Sequence, residues 1–427
     1  ERLAMTVGGD FKIGPNAGIG ITLSSSGNID AIGIISATTF SGSFTGDVTG
    51  AASEITVTSD TTDTLCFPIF TNTGVGNNAP KVNTTKLSFN SATGALTATS
   101  LVSTNNSVFN NITIGGGAIT GNTLLGYQAL DATTGANNTA IGYQALQNYN
   151  NDSGNGTVAI GYQAGQLNGT AASDNNTWVG TNCGDGTWTG AACSNNVGIG
   201  AFVMRGNMNG ANNNTCVGYD SGGDIVSADN NVMMGLNSGK QLTTGGENVI
   251  IGKGAFSSAN GGENQNVVIG TDAGASIDND DSVQNVIIGQ DAGTGGTGIF
   301  RYNVAIGINA LDSTGNNQVQ EVVAVGREAA TKINSNDASG TVAIGSFALG
   351  ELTSGQANTA VGWAAMYNGM DVGDFNTAVG YSALYALNPG SDGHGSNTAV
   401  GYKAGYSVTT AENNTFMGAR AGEAVTG

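Results

Sequence analysis

The sequence predicts an all-β fold: a trimeric parallel β-solenoid, or β-roll, of about 17 coils of ~18 residues, preceded by small β-modules. Three observations carry this prediction. Gly makes up 70 of the 427 residues while charged residues are only 10%, against a usual charged share of about 25%. Val, Ile and Thr recur in short runs between Gly and Asn, which is typical of short strands joined by turns. One phrase, "NTAIGYQAL" at 138–146, returns in close variants along the chain.

The repeat is anchored on a Gly that follows an aliphatic residue or Met, and positions are numbered from this anchor, so that −1 precedes it and +1 follows it. Position −3 is Val or Thr in all 17 copies, position −4 is Asn in 14, and position +3 is Ala in 13. Such a period indicates one short unit, here one coil, that stacks on its neighbours. The anchors are Gly126, Gly142, Gly161, Gly180, Gly200, Gly218, Gly235, Gly252, Gly270, Gly289, Gly307, Gly326, Gly345, Gly362, Gly380, Gly401 and Gly418.

Alternation along each strand predicts which side chains lie inside a coil. Positions −3 and −1 share one face of the strand, and we expect that face to line the interior. Position −2 then points outward. Because it is never charged and often large and apolar, we expect it to meet other copies of the chain in a homotrimer. The residues expected near the trimer axis are Trp178, Met233, Ala305, Ala378 and Phe416.

Two features of the repeat have structural interpretations. Asn at −4 tolerates turn conformations, and stacked amides can form a ladder from coil to coil. Cys183 takes position +3 and Cys216 position −2, so we expect small buried fillers and not a redox pair. The pattern gives no role to Cys66 or Cys193, and the four Cys show no spacing typical of a metal site.

Composition divides the chain into three expected parts. Residues 1–53 predict a connector of short strands with Gly turns, and residues 54–104 predict a small β-module. Residues 105–427 form the solenoid region, with a degenerate first coil at 106–119. Heptad periodicity is lacking, so no coiled-coil shaft is expected. The chain does not begin with Met, and we expect it to be part of a longer product.

The charge restricts the partners. A formal net charge of −19 disfavours nucleic acid and anionic lipid as partners. No apolar run approaches the ~20 residues that span a bilayer, so no membrane insertion is expected. We also expect no catalytic residue, no cofactor and no metal.

Parts of the sequence resemble two known groups of fibrous proteins. "NTAVGYSAL" (376–384), "NVAIGINAL" (303–311) and "GTVAIGSFAL" (340–349) resemble the repeat in head domains of bacterial trimeric autotransporter adhesins. That resemblance implies a trimeric left-handed parallel β-roll. "SGNIDAIGIISATTFSGSFTGDVTGAAS" (26–53) and "DTLCFPIFTNTGVGNNAPKVN" (63–83) resemble tail-fibre segments of marine bacteriophages. Together they imply an extracellular, homotrimeric fibre of a virion.

Four functions are open at this point. The first is a structural and adhesive phage tail fibre, whose partners are its own copies, other virion tail proteins and a host-surface glycan or protein receptor. The second is a bacterial cell-surface trimeric adhesin. The third, a polysaccharide-cleaving tailspike, needs two carboxylates roughly 5–10 Å apart, and no such pair recurs. The fourth, an ice-binding solenoid, needs an outward Thr array, whereas Thr at −3 is expected to face inward.

Receptor contact is expected in the longest segments between anchors, because loops tolerate variation. Trp188, Tyr385 and His394 are the candidates for stacking on a sugar or touching a receptor. The alternatives are that Trp188 packs over its own coil and that His394 is an ordinary loop residue. "DNDD" (278–281) predicts a solvated acidic loop, with a cation site as the alternative. A Tyr after the anchor is expected to form a stacked surface ladder at Tyr127, Tyr143, Tyr162, Tyr219, Tyr381 and Tyr402.

Overall fold

The computed structural model describes two compact units, Glu1–Asn110 and Asn111–Gly427. In the first unit it describes six strands. In the second it describes residues 121–426, except 131–134, 149–154, 167–172, 189, 369–372 and 390–394. The expected first coil at 106–119 and Cys66 lie outside the described residues. Within those residues, no helix has the length and apolar character that crossing a bilayer requires.

The first unit contains two antiparallel sheets. One is a four-stranded sheet of β1 (Leu3–Met5), β2 (Phe11–Ile13), β3 (Gly20–Leu23) and β4 (Ile29–Ile32), paired in that order. The other pairs β5 (Leu87–Asn90) with β6 (Ala95–Ala98), with Leu87 opposite Ala98. The sequences "KLSFNS" and "ALTATS" predict this pair of strands, because each alternates apolar and polar residues around a turn signal.

The second unit is a parallel β-solenoid, as the sequence predicts. Each of its 17 three-residue ladder strands pairs in register with the strand of the next coil. Each of positions −3, −2 and −1 therefore lies beside the same position of the neighbouring coil. The strands are β7 (Thr123–Leu125), β8 (Thr139–Ile141), β9 (Val158–Ile160), β10 (Thr177–Val179), β11 (Val197–Ile199), β12 (Thr215–Val217), β13 (Val232–Met234), β14 (Val249–Ile251), β15 (Val267–Ile269), β16 (Val286–Ile288), β18 (Val304–Ile306), β20 (Val323–Val325), β21 (Val342–Ile344), β22 (Thr359–Val361), β23 (Thr377–Val379), β24 (Thr398–Val400) and β25 (Thr415–Met417). Outside this ladder, β17 (Phe300–Arg301) pairs with β19 (Val319–Gln320), and Asn336–Ala338 forms one turn of 3₁₀ helix.

The face that lines each coil is the opposite of the one expected. Position −2 points inward, and positions −3 and −1 point outward and are half-buried or exposed, as in β10 and β18. The prediction that −2 faces a trimer axis is therefore wrong. Alternation fixes which residues share a face but not which face is inside, and a three-residue strand offers one side chain to a narrow interior. Of the predicted axis residues, four are fully buried within their own coil and Phe416 is half-buried against the core: Trp178, Met233, Ala305, Ala378 and Phe416.

Position +4 also contributes to the interior, and in several coils its size complements that of position −2. Trp178 is followed six residues later by Gly184, and a Cβ on Gly184 would lie 2.5 Å from the Trp178 ring. Ala378 is instead followed by Leu384, which is fully buried. The relation is not universal, since Ala159 is followed by Gly165 and Ile250 by Phe256.

The anchor Gly is required by the stacking of the coils. Gly142 has a φ of 134°, and a Cβ on it would lie 2.2 Å from the carbonyl oxygen of Gly161 in the next coil. The same approach recurs from anchor to anchor. Any other residue would push successive coils apart and adopt a strained backbone.

The predicted asparagine ladder is confirmed and lies inside the solenoid. Oδ1 of Asn176 accepts hydrogen bonds from the backbone N of Asn196 at 2.9 Å and from its Nδ2 at 3.2 Å. Asn196 Nδ2 also donates to the carbonyl oxygen of Ala211 at 2.9 Å. The ladder continues through eight successive coils to Asn303. These amides satisfy buried backbone groups in every coil.

The three described cysteines are free and buried. Burial, the dominant cause, raises the pKa of the Cys183 thiol to about 12, and it raises the pKa of Cys216 as well. The interpretation of these two as buried fillers is confirmed. Cys193 also fills the interior, and its carbonyl oxygen accepts a hydrogen bond from Asn176 Nδ2 at 2.8 Å.

Candidate functional site

Two rows of aromatic side chains run along the outside of the C-terminal coils. The outer row occupies position +1 and consists of Trp363, Tyr381 and Tyr402. Their ring centroids are 4.7 Å apart (Trp363–Tyr381) and 5.5 Å apart (Tyr381–Tyr402), and the rings stack. All three are exposed, at 43–45% of their surface. The row follows from the fold, because a rise of about 4.8 Å per coil places equivalent side chains at stacking distance.

The inner row occupies position +5 and consists of Tyr367, Tyr385 and Tyr406. The ring centroids are 5.9 Å apart between Tyr367 and Tyr385 and 4.9 Å apart between Tyr385 and Tyr406. These side chains are half-buried. Burial, followed by the neighbouring Tyr406 and Tyr367, raises the pKa of Tyr385.

A cleft of about 190 Å³ lies between the two rows, lined by Phe347, Trp363, Ala364, Tyr367 and Tyr385. Ala364 is the +2 residue of its coil and is buried, so its small side chain leaves the space open. Phe347 closes one end, since its ring centroid lies 6.1 Å from that of Trp363 and 5.6 Å from that of Tyr367. We call this space the aromatic cleft.

Two cations stand at opposite ends of the aromatic rows. The Arg327 guanidinium lies 4.3 Å from the centroid of the Phe347 ring. At the other end, Lys403 Nζ lies 5.7 Å from the centroid of Tyr402 and 4.9 Å from that of Tyr406, so it bridges both rows. Arg327 is also paired with Glu328 at 3.4 Å, whereas none of the salt bridges among the described residues involves Lys403.

The structure places the sequence-predicted contact residues in different environments. Tyr385 lies in the aromatic cleft. Trp188 is only 3% exposed and packs edge-on against Trp178 at 5.5 Å, so it covers its own coil, the alternative that the sequence left open. His394 lies outside the described residues.

The predicted tyrosine ladder is confirmed in two stretches. Besides the outer row, Tyr127, Tyr143 and Tyr162 stack in the N-terminal coils with centroids 5.6 and 5.3 Å apart. Tyr219 instead meets Phe202 edge-on at 5.5 Å.

Sequence reasoning did not find most of the cleft. Of its lining residues, Phe347, Trp363, Ala364 and Tyr367 all escaped it. A signal was present, because position +5 is Tyr in three successive coils. Reading that column beside position +1 would have predicted the second row.

A larger polar groove, about 570 Å³, lies on the middle coils and includes Asp229 and Glu247. Asp229 Oδ1 accepts a hydrogen bond from Asn212 N at 2.6 Å, and Glu247 Oε2 accepts one from Gln265 Nε2 at 2.9 Å. These carboxylates therefore tie neighbouring coils together. The acidic loop at 278–281 is half-buried to exposed, and in the described part of the chain no three His, Cys, Asp or Glu residues are grouped to hold a metal ion.

Fold and site define the class of this chain: a β-solenoid repeat protein that carries an aromatic cleft on its outer surface. No protein-family model, curated protein or solved structure matches it. Its function is therefore inferred from the fold and from the cleft.

Proposed function

We propose that this chain is a structural and adhesive segment of a bacteriophage tail fibre that contacts the surface of a bacterial host. It acts without catalysis or a cofactor, outside cells, as part of the virion. The aromatic cleft is the observation that carries the adhesive part of the proposal. An exposed outer row and a half-buried inner row with an open cleft between them suit contact with another molecule.

The solenoid supplies reach and stiffness. Sixteen steps of about 4.8 Å give a rod section of roughly 75–80 Å. Each coil bonds to its neighbours through the strand ladder and through the turn, where Gln144 N donates to Tyr127 O at 2.9 Å and Leu146 N donates to Ala164 O at 2.9 Å. A body whose contacts are made between neighbouring coils resists bending and lengthens by simple repetition.

Self-association as a homotrimer remains part of the proposal, now through the outward face of the ladder strands. Positions −3 and −1 on that face carry no charge, and several of their apolar side chains are exposed: Leu125, Ile160, Ile199, Val232, Met234, Ile344, Val379 and Met417. A long apolar stripe of this kind is a typical protein interface. Light scattering after size exclusion should give three times the chain mass. Ile160→Lys with Ile344→Lys should give monomer, while a chain that is monomeric before mutation contradicts the trimer.

The location of the chain tests the proposal directly. Antibodies raised against the purified chain should gold-label the tails of virions from the sample that carries the gene. Labelling of bacterial envelopes instead would support the second candidate, a trimeric cell-surface adhesin, which the adhesin-like repeat favours. The release of reducing ends from host capsule by the purified chain would contradict the non-enzymatic role in favour of a tailspike.

A further inference from the structure

We infer that the aromatic cleft binds one pyranose unit of an acidic surface polysaccharide, whose adjoining unit presents a carboxylate to Lys403. This inference rests on the proposed function, because it names the chemical class of the surface that the fibre contacts. Three observations lead to it: the aromatic lining of the cleft, its size, and the cation at the C-terminal end of the rows.

The aromatic lining suits the apolar side of a sugar. Aromatic rings carry negative potential on their faces, and the C–H groups on one side of a pyranose are positive. Trp363 of the outer row and Tyr367 and Tyr385 of the inner row line the cleft, so a sugar ring seated in it contacts aromatic side chains of both rows.

The size suits a single ring. The cleft of about 190 Å³ is smaller than the roughly 300–1,000 Å³ of sites that enclose drug-sized ligands. It is also open along the surface, so the neighbouring units of a polymer can extend over the rows. Because the coils below fix the rings, little conformational entropy is lost when a ligand binds.

The charge selects an acidic sugar. Lys403 lies outside the lining of the cleft, at the C-terminal end of both rows beside Tyr402 and Tyr406, and no carboxylate within the described residues forms a salt bridge with it. A ligand carboxylate at this end gains a charge-assisted hydrogen bond. Aromatic surfaces also attract quaternary ammonium groups. Here Lys403 already lies over the rings of Tyr402 and Tyr406 and repels a second cation, whereas Arg327 is paired with Glu328 at 3.4 Å.

The N-terminal coils supply a natural negative control. Tyr127, Tyr143 and Tyr162 repeat the outer row, but position +2 is Gln there, and Gln144 Nε2 donates to Gln128 Oε1 at 2.9 Å. The amides cover the space that Ala364 leaves open. Gln has a φ of 53–56° at this position and Ala364 has 51°, so Ala364→Gln introduces a side chain that the backbone already accepts elsewhere.

The fluorescence of Trp363 gives a direct readout of ligand binding in the cleft. It is 43% exposed, whereas the other two Trp of the chain, Trp178 and Trp188, are buried at 0% and 3%. Oligogalacturonate should shift the Trp emission of the full chain to the blue and protect it from acrylamide, saturably. A neutral galactan oligomer should bind about tenfold more weakly, the cost of one charge-assisted hydrogen bond. Choline should have no effect.

Variants assign the effect to the cleft. Ala364→Gln should abolish protection, Lys403→Gln should reduce oligogalacturonate affinity to that of galactan, and Tyr143→Ala on the N-terminal row should change neither. Melting curves monitor folding, and Lys403→Gln keeps the test decisive if Ala364→Gln unfolds. The inference is overturned by unsaturable binding, by equal affinity for both oligomers, by tighter binding of choline, or by full binding in Ala364→Gln. Gold labelling of virions involves no sugar, so it judges the proposed function separately.

Discussion

The N-terminal and C-terminal coils have the same backbone arrangement, and each region carries a stack of aromatic rings at position +1, yet their surfaces differ. Tyr143 and Tyr381 both occupy position +1 and both stack on their neighbours. In the N-terminal coils, Gln at positions +2 and +5 forms an amide ladder, in which Gln166 Nε2 donates to Gln147 Oε1 at 2.9 Å. In the C-terminal coils, the same positions carry Ala364 and Tyr367, which open a cleft. Two positions in each of these coils therefore carry either an amide ladder or an aromatic cleft, while the strand ladder is the same in both regions.

The anchor glycines, which both regions share, give the largest expected effect on stability. Gly142→Ala and Gly380→Ala should each destabilise the solenoid by about 3 kcal/mol or more, since a positive φ and a backbone clash combine. Their Cβ atoms would lie 2.2 and 2.4 Å from the carbonyl oxygens of Gly161 and Gly401. Denaturant unfolding measures the loss in both regions.

Gly315→Ala is the matched control for the anchor variants. Gly315 has a φ of 60°, but a Cβ added there would have no atom within 4 Å, so only the backbone cost of about 1 kcal/mol applies. Equal losses at Gly315 and the anchors would contradict the close approach of successive coils.

The two regions also differ in the internal ladder. Position −4 is Asn376 in the C-terminal coils, and its Oδ1 accepts hydrogen bonds from Asn397 N at 3.0 Å and Nδ2 at 3.1 Å. In the N-terminal coils Thr157 interrupts the series, as Val322 and Thr341 do in the two coils before Asn358. Asn376→Thr should cost about 1–3 kcal/mol because buried backbone groups lose partners. Thr157→Asn should raise the melting temperature, and a loss of stability in both variants would refute the ladder's role.

Much of the fold could be predicted from the sequence, because repetition reports the period and the register directly. A strict column of Gly, Asn and Val or Thr indicates one strand per coil, and the strand pairing confirms it. Those repeated residues alone could not show which face of the strand points into the coil. The missing information lay in the size relation between −2 and +4, as in Trp178 with Gly184 and Ala378 with Leu384.

The candidate site was predicted only through Tyr385. Loop length drew attention to Trp188 and His394, but the cleft is built by turn residues at fixed positions of successive coils. A site that arises by stacking is spread over the sequence in steps of about 18 residues. It becomes visible only when equivalent positions are compared from coil to coil, and Phe347, which lies at one end of the cleft, belongs to neither aromatic row.

Position −7, a buried position seven residues before the anchor, is a further difference between coils. Both regions have Gly there, Gly135 and Gly373, whereas a middle coil has Glu263, which is fully buried. Burial, the largest cause, raises the pKa of Glu263, although Gly261 N donates to its Oε2 at 3.0 Å. The folded chain thus binds this proton more tightly than the unfolded chain, and stability falls as pH rises from the ordinary Glu pKa of about 4.3.

Glu263→Gln should therefore raise the melting temperature at pH 7, and the gain should vanish well below the ordinary Glu pKa of about 4.3, where Glu263 is protonated in both states. Scanning calorimetry across this range measures the difference. A gain that is independent of pH would indicate a packing effect and not titration.

The smallest expected effect is a difference in titration between Tyr385 of the inner row and Tyr143 of the N-terminal stretch. Burial, then Tyr406 and Tyr367, raises the pKa of Tyr385 in the cleft. Because the folded protein holds this proton more tightly than the unfolded chain, the ionisation of Tyr385 costs stability as pH rises above the ordinary Tyr pKa of about 10. Absorbance of tyrosinate should show one late step that Tyr385→Phe removes and Tyr143→Phe leaves in place. Oligogalacturonate should move that step to higher pH still, because a carboxylate bound beside the rows disfavours a second negative charge. An unshifted step in the presence of saturating oligomer would place the ligand away from the inner row.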